Sequence, residues 1–380
     1  MEIIFLATLP PESSTIIGRT VPLAEELQKR GHRVKILTLG NNPEKSDSLI
    51  SIVGPAIKST NEKKHHLFTT LRRLIAGKKK LEKALRSYKP DLVILEKAHP
   101  QNVSARIDKN IPIVLDVDDD EKSASRMSFW GRLYMSEMEK KGAKTAKLVT
   151  ACSPALVNRY RNELKSNRVE LVPTGISTEE EISAPDVRQK FSIPQDAQIV
   201  TYIGSISLAS GHRVDQILSI WEKLSTDFSK VHLLFIGDGI DFELVREQTT
   251  KLKNSDRIHF WGRFDVRQSE NFARQSSVLI DPVDNSKACE NKSSFRTILG
   301  LKTGVPVIAG AVGIRKMIIP ETLHNWTLYN PDNLDSLYKS ITFALKPGAK
   351  EEFVKKTKDE WKKWSWPEIG SKFVSLIEQL

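Results

Sequence analysis

Short runs of Val, Ile and Leu alternate with longer amphipathic stretches along nearly the whole chain. EIIFLAT is followed by VPLAEELQKRG and RVKILTL, and the same rhythm returns in DLVILE, IPIVLDV, KLVTA and VELVP. Such short runs, apolar on both faces and separated by helical patterns, predict parallel strands covered by helices on both sides. After the polar stretch TEEEISAPDVRQKFSIPQDA a second series begins: QIVTYIG, VHLLFIG, RIHFWG, SSVLIDP and VPVIAG, each followed by a helical pattern. The pattern therefore predicts two α/β domains, residues 1–170 and 171–365, joined near LVPTGIST, with no repeat of solenoid period. The last segment, 366–380, reads as a helix starting after Pro367. Its apolar face, Trp364, Ile369, Phe373 and Ile377, is expected to pack back toward the first domain.

The length of 380 residues suits two such domains and makes the cleft between them the expected place for chemistry. No apolar run approaches the roughly 20 residues that span a bilayer. MEIIFLATLPPESS lacks a basic lead and runs into Pro-Pro, so it reads as a first buried strand rather than a signal peptide. Two widely separated cysteines, Cys152 and Cys289, argue against a disulfide or zinc framework and fit a reducing compartment, so a cytoplasmic location is expected. The 58 Lys+Arg against 47 Asp+Glu leave a net charge of +11, which favours anionic partners.

In open parallel sheets, ligands sit beyond the carboxyl ends of strands, where helix N-termini offer unbonded N–H groups to phosphate. Three loops stand at such places. After QIVTYIG comes Gly204-Ser205-Ile206-Ser207-Leu208-Ala209-Ser210-Gly211-His212-Arg213, small residues between glycines and then a cationic pair able to wrap a diphosphate. After VHLLFIG, Asp238-Gly239 forms a tight turn that lets backbone approach a ligand. The third is Glu290-Asn291-Lys292-Ser293-Ser294, ahead of a helix expected from Phe295 to Thr303. There Ser293 or Ser294 caps the helix, and Lys292 and Arg296 add positive charge.

VPTGIS, YIGSIS, LLFIGDG, IHFWGRF, SSVLIDPV and LKTGVPVIAG, in that order and spacing, resemble the second domain of GT-B glycosyltransferases of family 4. The loop around Gly18 and the phrase LAEELQKRGHRVKILTL are similar to that family's opening. The resemblance implies two facing Rossmann-like domains and a nucleotide-sugar donor, UDP- or GDP-linked, held mainly by the second. It further implies a glycan or lipid-linked acceptor on the first, retention of anomeric configuration and no obligatory metal. The surface polysaccharides and glycoconjugates such enzymes build set the expected context. On this reading Gly18, Gly204, Ser205, His212, Arg213, Asp238, Gly239 and Glu290 through Ser294 with Arg296 are donor-side residues. The chain departs from the family at Ser205, where an arginine is usual, and at Asn291 and Leu299, where glutamates are usual. Those departures leave a second reading, a glycosyltransferase-like scaffold or binding subunit of a polysaccharide assembly complex, and a third, a GT-B epimerase.

In the first domain the run Asp116-Val117-Asp118-Asp119-Asp120-Glu121 follows a strand. Asp118 and Asp119 match the family's histidine-aspartate position and are expected to orient the acceptor or act as base, with His99 on the acceptor side at the neighbouring strand end. Asp-x-Asp also suits Mg²⁺, and IVLDVDDD is similar to the nucleophile motif of haloacid-dehalogenase phosphatases. The same run could instead cap a helix starting near Ser123. Finally, 63–89 carries Phe68, Leu71, Leu74 and Ile75 at helical spacing among many Lys and Arg, a pattern suited either to an anionic membrane surface or to packing on the sheet. Nucleic acid is not expected, since no recognised binding module accompanies the charge.

Overall fold

A computed structural model describes residues 1–41, 43–54, 67–120, 128–179 and 182–380, and among these residues thirteen strands form, eleven of them from the apolar runs above. Seven of them, β1 (Glu2–Leu6), β2 (Arg33–Leu39), β3 (Ile50–Gly54), β4 (Leu92–Glu96), β5 (Ile113–Val117), β6 (Leu148–Ala151) and β7 (Val169–Leu171), form one parallel sheet in the order β3-β2-β1-β4-β5-β6-β7. Six more, β8 (Gln198–Ile203), β9 (Val231–Ile236), β10 (Ile258–Gly262), β11 (Val278–Asp281), β12 (Val307–Gly310) and β13 (Leu328–Tyr329), form a second in the order β10-β9-β8-β11-β12-β13. Each sheet reverses its winding once, between β1 and β4 and between β8 and β11. Those are the positions where an open α/β sheet leaves a crevice at its carboxyl edge.

Contacts divide the chain into Met1–Gly175 with Trp366–Leu380, and Ile176–Ser365. The first unit buries one apolar layer on each side of its sheet. Leu81, Leu85, Leu95, Leu115 and Ala143 lie on one side, and Phe5, Leu23, Leu27, Ile94 and Phe373 on the other. The helix Trp366–Glu378 supplies Trp366, Ile369, Phe373, Val374 and Ile377 to the second of these layers, against the helix Val21–Lys29. Trp364 does not share that face. A short 3-10 turn, Glu360–Trp364, and the extended Ser365 separate it from the helix, so Trp364 packs into the core of the second unit.

The helix Leu67–Ser87 buries Leu81 and Leu85 against the first sheet and exposes Arg72, Arg73, Lys79, Lys80, Lys83 and Arg86. Residues 63–66 of the basic segment and the side chains of Phe68 and Leu71 lie outside the described residues, as does the stretch around Ser123. Among the described residues no helix is long and apolar enough to cross a membrane.

At the edge of the second sheet, His232 and His259 stack with ring centroids 5.2 Å apart, and His259 also stacks on Phe191 at 4.9 Å. Burial, then the neighbouring His232, lowers the His259 imidazole to about 4, and burial lowers His232. The unfolded chain therefore binds protons here that the native chain refuses. Stability contributed at neutral pH should fall as pH drops from about 6.5 toward 4. Urea unfolding should show His259→Gln losing less stability than the parent chain between pH 7 and 5. Phe373→Ala, which empties a fully buried site in the terminal helix, is expected to cost about 3–5 kcal/mol in the same measurement.

Candidate functional site

The crevice of the second unit is organised by a charge at the end of a buried strand. Asp281 closes β11 with no solvent exposure, and an unpaired carboxylate there would be prohibitively costly. Arg315 Nε donates to its Oδ2 at 2.6 Å and Arg296 Nε to its Oδ1 at 2.9 Å, while the hydroxyls of Ser294 and Thr297 also donate to Oδ2. Burial pushes this carboxyl up, but the charges of Arg315 and Arg296 prevail and hold it far below the ordinary carboxylate range.

From this anchor the network reaches the loop after β8. The Arg296 guanidinium lies 4.6 Å from the Tyr202 ring centroid, and its Nη1 donates to the Tyr202 hydroxyl at 3.2 Å and to the Ile203 carbonyl at 3.3 Å. Its Nη2 meets His212 Nδ1 at 3.0 Å, and the Tyr202 hydroxyl donates to the Ser205 carbonyl. Burial, reinforced by the charges of Arg296 and Lys292, holds the His212 imidazole well below its usual range. A neutral ring that accepts from Arg296 at Nδ1 carries its proton on Nε2, a tautomer assigned from this bonding pattern. Burial raises the Tyr202 phenol to about 12, so it stays protonated and keeps donating.

Backbone geometry brings the loops close. Gly204 and Gly237 have φ of +137° and +135°, and a Cβ on Gly237 would stand 2.0 Å from the Gly204 carbonyl oxygen. Ile206 donates to the Asp238 carbonyl at 3.0 Å, and Gly239 abuts the Ile206 backbone. Ser294 caps the helix Phe295–Thr303 by accepting from the Thr297 N–H, leaving the Phe295 and Arg296 N–H groups as first-turn donors without intrahelical acceptors. Lys292 reaches across so that its Nζ donates to the Ser210 carbonyl at 2.9 Å. Ser205 and Glu290 are exposed, Ser293 is half-buried and Asn291 is buried.

Three expectations need correction. Arg296 is not a solvent-facing cation: nearly every direction of its guanidinium is taken by Asp281, Tyr202, Ile203 and His212. His212 supplies a neutral donor rather than positive charge. Arg213, only partly exposed, grips Asp215 through Nε at 2.8 Å and Nη2 at 2.6 Å and approaches Asp284 at 3.4 Å, so its charge is already opposed by two carboxylates. Leu299 is fully buried in the core.

In the first unit, the run after β5 is a row of ion pairs. Arg19 grips Asp116 through both carboxylate oxygens at 2.6 and 2.7 Å, and Thr150 donates to Asp116 at 2.6 Å. Lys97 Nζ lies 3.1 Å from Asp118, and Arg159 bridges Asp120 and Glu139. Asp119 accepts from the Asp120 N–H at 2.8 Å. His99 Nδ1 bonds the Thr8 hydroxyl, which joins the ends of β1 and β4 at the switch point; the Asn102 amide reinforces the same join through the Leu6, Glu96 and Lys97 carbonyls. Gly18 sits in a π-helical turn, Ile16–Thr20, beside Arg19, with open space where a Cβ would be. Among the described residues no group of three or more His, Cys, Asp or Glu could hold a metal ion.

The pattern of runs did not single out Asp281, Arg315, Arg19 or Tyr202. A lone acid ending an apolar strand, SSVLIDP, is the available signal, because such a group needs a buried cation and IRKMI supplies one.

Comparison with known proteins adds a family. A model described as Glycosyltransferase Family 4 matches residues 19–180, and one described as Glycosyl transferases group 1 matches 197–346. No curated protein sequence matches the chain. Among solved structures, sucrose-phosphate synthase from Thermosynechococcus elongatus aligns with a TM-score of 0.75 at 17% identity, over 100% of this chain and 99% of that one. Anabaena HepE in complex with UDP-glucose aligns at 0.75 and 12% identity over 100% of both chains. A glycosyltransferase from Rickettsia africae aligns at 0.67 and 17% identity over 100% and 98%. At these identities the structures establish the fold, two Rossmann-like domains.

Asp281→Asn would leave Arg296 and Arg315 facing each other without their shared counter-charge, an expected loss of about 3–5 kcal/mol by urea unfolding. Gly237→Ala is expected to destabilise by more than about 1 kcal/mol, because the new methyl meets backbone that cannot retreat.

Proposed function

This chain belongs to the family-4-like glycosyltransferases of the GT-B fold, and from that premise we propose that it moves a sugar from a nucleotide-sugar donor to a glycan or lipid-linked acceptor, with retention of anomeric configuration. The observation that carries the reading is the Asp281 network. It ties the loop after β8 to the start of the helix Phe295–Thr303, at the sheet edge where ligands of open α/β sheets bind. The bound UDP-glucose of HepE, a protein of the same fold, supports a nucleotide-sugar donor and favours UDP over GDP.

In this mechanism the diphosphate rests against Gly204, Ser205, Asp238 and Gly239 on one side and Lys292, Ser293 and the amides of Phe295 and Arg296 on the other. Lys292 is the cation that meets it, exchanging the Ser210 carbonyl for a phosphate oxygen. His212 offers its Nε2–H as a neutral donor. Arg213 braces the loop through Asp215 and Asp284, and Arg296 holds the strand ends. As the glycosidic bond breaks, charge grows on the departing diphosphate, and these preoriented donors stabilise it without having to reorganise. On the first unit Asp118, held by Lys97, and Asp119 orient the acceptor hydroxyl, with His99 at the neighbouring strand end and Gly18 on the opening loop.

Calorimetry with UDP, GDP and their sugars tests the donor side. A charge-assisted bond lost at a part-buried site is worth about 1.5–3 kcal/mol, so Lys292→Ala should weaken UDP binding roughly 10- to 100-fold. Arg213→Ala should weaken it less. Equal affinity in the Lys292 variant would remove that residue from the site. Tight UDP binding without turnover against any glycan or lipid-linked acceptor would instead favour the scaffold reading, which Leu299 in the core already motivates.

A further inference from the structure

A cavity of about 660 Å³ lies among the loops that leave β11, β12 and β13, on the side of the second sheet away from β9 and β10. Its volume is that of a small-molecule site. None of its lining residues belongs to the donor-side set, although Asn285 follows Asp284, the second carboxylate facing Arg213. Two of its walls are fastened to each other by a buried pair. The Tyr329 hydroxyl donates to Gln216 Oε1 at 2.5 Å and accepts from the Val283 N–H at 3.2 Å, while Gln216 Nε2 donates to the Val283 and Pro331 carbonyls, each at 3.3 Å. Asn285 Nδ2 also donates to Asp332 Oδ2 at 2.5 Å, and the Ser336 hydroxyl accepts from the Asn330 N–H at 3.0 Å. The loops after β11 and β13 are therefore set before a ligand arrives.

The lining is hydrophilic without being acidic. Asn285, Asn325 and Asn330 bring amides, Ser336 a hydroxyl and His324 an imidazole; Lys316 is the single Lys or Arg, and no lining residue is an acid. His324 Nε2 bonds the Ile319 carbonyl at 2.8 Å and must donate to it, so the neutral ring keeps Nδ1 as an acceptor. Lys316 and Asn325 are exposed, and among the described residues their side chains have no hydrogen-bond or ion-pair partner. Ala311, Leu328 and Pro331 add a small apolar area to the same lining. Mixed donors and acceptors beside a modest apolar area fit a molecule whose hydroxyls surround CH faces, which is the chemistry of a sugar ring. One cation with no acid in the lining adds a single negative charge to that description.

We propose that this cavity binds an acidic saccharide, with a sugar carboxylate on Lys316, hydroxyls shared among the Asn amides and His324, and CH faces against Leu328 and Pro331. A phosphate dianion would call for a guanidinium fork or several cations, whereas Lys316 alone is a point charge suited to one carboxylate. An apolar ligand would strip water from the amides and leave them unpaired, at a cost no contact here repays. The site is separate from the donor crevice and does not depend on it. Only its role, a second hold on an acidic glycan that the enzyme extends, rests on the glycosyltransferase reading.

The test is a saturation-transfer NMR titration of the full chain with tetrasaccharides of glucuronic, galacturonic or mannuronic acid, against neutral maltotetraose, each with and without saturating UDP. At least one acidic tetrasaccharide should bind more tightly than maltotetraose, and UDP should not displace it. A charge-assisted bond at an exposed site is worth about tenfold in affinity, so Lys316→Gln should weaken the acidic ligand roughly tenfold and leave maltotetraose unchanged. Asn325→Ala should weaken both saccharides about threefold, the loss of one neutral hydrogen bond. The unfolding midpoint and the UDP affinity should be unchanged in both variants. No preference for any acidic tetrasaccharide, undiminished binding by the Lys316 variant, displacement by UDP, or inorganic phosphate binding as tightly as the saccharides would each overturn the proposal. Loss of UDP binding in the parent chain would overturn the nucleotide-sugar reading and leave this one standing.

Discussion

A carboxylate with no access to water, flanked by two guanidinium groups, sets the terms for the second unit. Asp281 ends its strand where the sheet reverses its winding, and a charge buried there is costly unless it is answered. Arg315 answers it from one side and Arg296 from the other, and Arg296 in turn orients Tyr202 and His212. The consequence is a chain of fixed dipoles from the core to the rim. Donors held this way are aimed before a ligand arrives, which is the property electrostatic stabilisation of a leaving group requires.

The first unit repeats the device with different partners. Asp116 near the end of β5 is buried and gripped by Arg19 from the turn after β1, with Thr150 of the next strand as a third contact. Removing either partner from such a pair strands the other in low dielectric. Each unit thus fastens the loop following its first strand to an acid at a strand end. Parallel sheets concentrate their helix starts and their ligands on that edge, so the edge needs bracing that backbone bonds do not provide.

How far the sequence reveals this depends on the range of the interaction. The two sheets were legible because EIIFLAT or VHLLFIG must be buried on both faces whatever surrounds them. The helix from Phe295 to Thr303 was legible from local chemistry, with Ser294 as cap and Gly304 in the left-handed region as stop. The roles of cations were not. Arg296 and Arg213 look alike in sequence, but whether each faces a ligand or a carboxylate depends on Asp281, Asp215 and Asp284, and two of those carboxylates are distant in the chain or on another element. His212 reads as a cation until the charges folded around it make protonation unfavourable. Lys292 gains importance only when its reach to Ser210, some 80 positions earlier, is visible.

The terminal helix gives the chain an order of completion. The second unit is continuous, Ile176–Ser365, whereas the first is assembled from Met1–Gly175 and the last residues, Trp366–Leu380. A ribosome therefore delivers a finished second unit before the first can close over Leu23 and Leu27. Until Trp366–Leu380 has emerged, that apolar layer stays open. A chain broken off before Trp366 would keep one intact unit and leave the other with part of its apolar layer uncovered.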